Sequence, residues 1–90
     1  MATTLSAKKR IRQNAARRAR NRWRLRTMRT SIKSFQTAVA KGNASGAAEA
    51  FREASRVIDK TAQHGVIHKN QAARRKSRMS ARLKRLTQGS

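Results

Sequence analysis

Apolar side chains recur along this chain at helical spacing and almost nowhere in the two-residue alternation of a half-buried strand. Leu25, Met28, Ile32, Phe35 and Val39 stand three, four, three and four residues apart, which puts them on one stripe of a helix. Ala47, Ala50, Phe51, Ala54, Val57, Ile58 and Ala62 mark a second helical face. Ala72, Met79, Leu83 and Leu86 mark a third, with Lys76 on the same line, where its aliphatic stem can cover apolar surface while the ammonium stays wet.

Punctuation between the stripes sets the boundaries. Ser6 is a good N-cap, so the first helix is expected over about residues 7–41, closed by Gly42 in the left-handed conformation. Asn43 offers the next cap, for a helix over about 44–63 that Gly65 closes. Val66 and Ile67 form an apolar joint, and a third helix is expected over about 68–87. Proline is absent. The expected fold is therefore all-α: an up-down-up three-helix bundle in one domain spanning residues 1–90. Ahead of Leu25 the first helix has only Ile11 and alanines on any comparable line, so residues 1–24 are expected to project from the bundle as a basic arm.

Composition limits what such a bundle can hold together. Of the apolar residues, 16 are alanine and only 17 are larger. A core of that size supplies roughly 3–5 kcal/mol, and no cysteine is present to staple it. Absence of cysteine fits a reducing compartment, and no apolar run is long enough for a signal-peptide core or a membrane span.

Charge changes the picture further. The formal net charge is +21, from 24 cations and three acids. Residues 1–42 carry thirteen cations and no acid, residues 43–63 sum to zero, and residues 64–90 carry eight cations and no acid. So large a charge on 90 residues repels itself in a compact monomer and calls for a polyanionic partner. The second helix reads as a scaffold, with opposite-charge pairs expected at Glu49–Arg52, Glu53–Arg56 and Arg56–Asp59.

The segment from Lys8 to Arg29 decides between polyanions. Arg18, Arg20, Arg22, Arg24 and Arg26 step by two, so each falls about 200° from the last on a helical wheel. Lys9, Arg10, Arg12 and Arg17 fill the gaps. A helix lying on a membrane needs a distinct apolar face, and this segment has only a thin line of Ile11, Ala15 and Ala19. Membrane binding, membrane disruption and an amphipathic transit peptide are therefore disfavoured. Arginine forks match phosphate oxygens, and binding them releases condensed counterions. Charge on several sides suits a crevice in folded RNA better than one flat surface. The arm is expected to fray alone and become helical on RNA. The other reading is a nucleoid-type architectural DNA-binding protein.

A second cationic stretch, GVIHKNQAARRKSRMS, places His68, Lys69 and Asn70 at a helix N-terminus, where free backbone N–H groups attract anions. His68 there also serves as a capping or packing residue. Trp23 lies about 160° from the centre of the Leu25–Val39 stripe and is expected to point away from the bundle. Out there it would stack on a base or cover arginine stems. His64 and His68 are separated by a helix break and lack cysteine or carboxylate neighbours, so no metal or other cofactor is expected. No nucleophile, base and orienting acid fall together, so catalytic residues are expected to be none and the chain is not read as an enzyme.

The segments SAKKRIRQNAARRARNR, RTSIK and HGVIHKNQAARRKSRMSARLKRL together resemble the bacterial small-subunit ribosomal protein family number twenty, over nearly the whole chain and in order. The block GVIHKN-x-AARRKSR carries most of the specificity; lysine is common in the family where His64 and Gln71 stand here, and Trp23 is atypical of it. The resemblance implies a three-helix bundle with an extended first helix, cytoplasmic within the small ribosomal subunit and bound directly to its ribosomal RNA. It further implies RNA partners in the 5′ domain and the long penultimate helix, other subunit components nearby, and a part in RNA folding during assembly; no homo-oligomer is expected. Carried over to this sequence, the implied RNA contacts are Lys8, Lys9, Arg10, Arg12, Arg17, Arg18, Arg22 and Arg24, with His68, Lys69, Asn70, Arg74, Arg75 and Arg78.

Overall fold

The computed structural model describes residues 4–88, and among these there are three helices and no strand. They are α1 (Leu5–Ala40), α2 (Ala44–Gln63) and α3 (Lys69–Gln88). The first helix begins two residues earlier than the Ser6 cap would set it. Thr4, in extended conformation, accepts from the Ala7 N–H at 3.1 Å, and Ser6 lies inside the first turn. Both hydroxyls could cap; the earlier one wins because it lets two more residues join the helical hydrogen-bond ladder.

Both turns between helices use one device. After α1, the Gly42 N–H donates to the Val39 carbonyl and the Asn43 N–H to the Ala38 carbonyl, each at 3.0 Å. After α2, the Gly65 N–H donates to Ala62 and the Val66 N–H to Thr61, at 2.9 and 3.2 Å. These are paired Schellman bonds, and the residue at the bend takes a positive φ, 72° at Gly42 and 75° at Gly65. Asn43 ends one helix and starts the next, its side chain accepting from the Gly46 N–H at 3.0 Å. At α3, His68 Nδ1 accepts from the Asn70 N–H at 3.0 Å and so acts as the cap, which moves the helix start to Lys69.

The packing matches the stripes. Phe35, Met28 and Ile58 are the largest fully buried side chains, and Leu25, Ile32, Val39, Phe51, Val57, Leu83 and Leu86 close around them. Phe35 and Phe51 meet tilted, ring centroids 6.0 Å apart. Helix α2 packs against both others, while α1 and α3 touch only slightly. Of the pairs expected within α2, Glu53–Arg56 forms at 2.7 Å. Asp59 turns instead to Lys76 of α3, also at 2.7 Å, because that ammonium emerges from the apolar line beside it. The 36-residue α1 is about 54 Å long, and the molecule measures 68 × 22 × 16 Å. Side chains of α1 join the core only from Leu25 onward.

Candidate nucleic-acid interface

Every residue from Lys8 to Arg20 is exposed, so Lys8, Lys9, Arg10, Arg12, Arg17 and Arg18 all face solvent. Arg22 is exposed as well, and Arg24 is half-buried where α1 enters the bundle. Averaged over its length α1 has no amphipathic face, whereas α2 and α3 each have a pronounced one. The reason is the two-residue arginine step, which surrounds the axis with charge. No carboxylate of the described residues forms an ion pair with this segment.

His68, Lys69, Asn70, Arg74 and Arg78 are exposed on α3 and the turn before it, and Arg75 is half-buried with its Nε enclosed. The α3 block begins at the end of the bundle where α1 enters it. Thr61, near the end of α2, borders the same recess as Trp23 and Arg24 of α1, and α3 starts only eight residues after Thr61.

Two same-face rows extend beyond the residues singled out from sequence. Arg18, Arg22, Arg26, Arg29 and Lys33 follow at spacings of four, four, three and four, and all are exposed. Four of them, Arg22, Arg26, Arg29 and Lys33, line one open groove of about 320 Å³ alongside the bundle. On α3, Arg74, Arg78, Arg82 and Arg85 repeat the spacing, and Arg82 and Arg85 border a recess with Val39 and Leu86 between α3 and the end of α1. The periodicity of apolar residues revealed the core; the same test applied to arginines would have revealed these rows.

Trp23 does not point cleanly away. It is 58% exposed and lines an open recess of about 180 Å³ with Thr27 of α1 and Val57 and Thr61 of α2. Helix α2 lies toward the Met28, Ser31 and Phe35 side of the stripe rather than over its centre, which brings the junction around to Thr27 and Trp23. The Arg24 guanidinium carbon sits 5.8 Å from the indole centroid, within cation–π range.

Other chemistry finds little here. Among the described residues no three His, Cys, Asp or Glu side chains could share a metal ion, and no helix is long and apolar enough to cross a membrane. Glu53 is held by Arg56, whose hydrogen bond and charge draw its carboxyl below the ordinary value. That is the opposite of what a general acid near neutrality needs.

The fold and its charges define an all-α helical scaffold in which a neutral helix carries two polycationic ones. The family model described as Ribosomal protein S20 matches residues 2–84. The chain is 50% identical over 84 residues to the small ribosomal subunit protein bS20 of Nitrosomonas europaea, covering 93% of this chain and 97% of that one. It is 51% identical over 86 residues to bS20 of Gluconobacter oxydans, covering 96% and 97%, and 46% identical over 82 residues to bS20 of Shouchella clausii, covering 91% and 93%. This chain belongs to the ribosomal protein S20 family. Its role is structural, within the ribosome, and not enzymatic.

Proposed function

We propose that the protein binds small-subunit ribosomal RNA directly and clamps separate RNA helices together. What carries the reading is the distribution of charge: cations on all sides of α1 and in a row on α3, with a neutral α2 holding the two apart. Exposed arginines on several sides of one rod engage phosphates from more than one strand at once, and the bundle sets the angle between the rod and α3. Phosphate contacts position without reading sequence, so selectivity comes from fit to folded RNA and its 2′-hydroxyls.

In this reading Lys8, Lys9, Arg10, Arg12, Arg17, Arg18, Arg22 and Arg24 form the arm's contacts. His68, Lys69, Asn70, Arg74, Arg75 and Arg78 form those of the bundle, with Arg26, Arg29, Lys33, Arg82 and Arg85 extending both rows. The RNA partners are segments of the 5′ domain and the long penultimate helix, joined early in assembly of the cytoplasmic small subunit. Footprinting on small-subunit RNA tests it. Protection in both segments, steeply lost with salt, is expected; equal affinity for duplex DNA of the same length at physiological salt would replace it with an architectural DNA-binding role.

A further inference from the structure

The recess at the α1–α2 junction differs in kind from the arginine rows. Trp23 and Val57 both line it, so it offers an aromatic face and apolar surface next to cations. Two of those cations, Arg24 from α1 and Lys60 from α2, border it with no carboxylate partner among the described residues, while Arg56, also at its edge, is held by Glu53. Although α2 sums to zero, two of its carboxylates are engaged elsewhere, for Asp59 is committed to Lys76 on the α3 side and Glu53 to Arg56. Thr27 donates its hydroxyl hydrogen to the Trp23 carbonyl at 2.9 Å, so its oxygen is left to the recess as an acceptor.

A duplex suits such a site poorly. Its bases are already stacked on each other, and a recess of about 180 Å³ has no room for paired strands. One unpaired nucleotide suits it well: the base presents a free π-face, and its flanking phosphates meet the rim cations. We propose that this recess takes a single unpaired RNA nucleotide, its base stacked on Trp23 and its phosphates facing Arg24 and Lys60. The proposal rests on the RNA-binding reading above and adds to it a specific nucleotide conformation. The arginine rows hold paired RNA, and Trp23 holds one base taken out of the stack.

Trp23 is the only tryptophan and the chain has no tyrosine, so emission from the full-length protein reports on this site alone. Two RNAs of equal length serve as probes, a stem with one bulged adenosine and the same stem fully paired. Affinity is read separately, from the anisotropy of labelled RNA. The bulged RNA should quench Trp23 and the paired one should not. Trp23→Ala should weaken the bulged RNA by roughly five- to 150-fold, the range for loss of one stacked base, and leave the paired RNA unchanged. Trp23→Phe, which restores a π-face, should recover most of the difference. If both RNAs bind but quench alike, or Trp23→Ala weakens them alike, the stacking site is wrong while RNA binding stands. If neither binds, the parent reading falls and takes this one with it.

Discussion

The two halves of α1 share one backbone and one row of exposed cations, yet they are held in shape by different means. Between Leu25 and Ala40 the helix is fastened by burial, with Met28 1% and Phe35 0% exposed. Between Leu5 and Arg24 the apolar side chains stand in water, Leu5 at 85% and Ile11 at 61%. Nine cations crowd that stretch without one acid, and like charges three or four residues apart weaken an isolated helix. One half is a helix because it packs. The other has good helix formers and a threonine cap, yet its favourable electrostatics must come from outside the molecule.

Removing the fastening of the packed half has the largest consequence. Phe35→Ala should cost about 3–5 kcal/mol, close to the whole stability that a core of this size supplies. Circular dichroism should show a chain largely unfolded at room temperature. Ile11→Ala removes an exposed side chain and should leave the thermal midpoint where it was; a shift comparable to that of Phe35→Ala would mean the arm is folded onto something.

Deleting residues 1–24 attacks the other half. It removes nine cations and no core residue, so stability should hold while affinity for small-subunit RNA falls at least about a hundredfold at physiological salt. The slope of log affinity against log salt should flatten at the same time, because fewer counterions are released. Amide exchange on the intact protein makes the same division without mutation. Exchange should be fast up to about Arg24 and slow beyond it in the free protein, with the arm protected only on RNA. Strong protection of the arm without RNA would erase the contrast.

How much of this could be read from sequence follows from the same contrast. Stripes such as Leu25–Val39 were legible because burial imposes a period, and the bends at Gly42 and Gly65 because a positive φ favours glycine. The cap at Thr4 was not, since two nearby hydroxyls both satisfy the rule. Spacing alone pairs Asp59 with Arg56 in its own helix, but its partner, Lys76, is close only once α2 and α3 are docked. The angle of Trp23 from the stripe's centre points it outward, whereas its surroundings depend on which flank α2 occupies. Density of arginine in the arm hid the row that continues past it to Lys33.

The smallest expected effect sits on the neutral helix. Arg56 hydrogen-bonds Glu53 through two nitrogens, at 2.7 and 3.3 Å, and holds its carboxyl below the ordinary value. A carboxylate depressed in the folded state adds stability above its unfolded pKa, and that contribution is lost as pH falls through the folded one. Both side chains are more than half exposed, so solvent screens most of it. Glu53→Gln should lower the thermal midpoint slightly at pH 7, and the gap from wild type should close on acidification through the carboxylate range. Added salt sharpens the comparison, since it weakens this attraction but relieves the repulsion within the arm. In the free protein, salt should therefore shrink the Glu53→Gln difference while raising helicity ahead of Leu25: one reagent, opposite signs, because one region holds its counter-charges and the other does not.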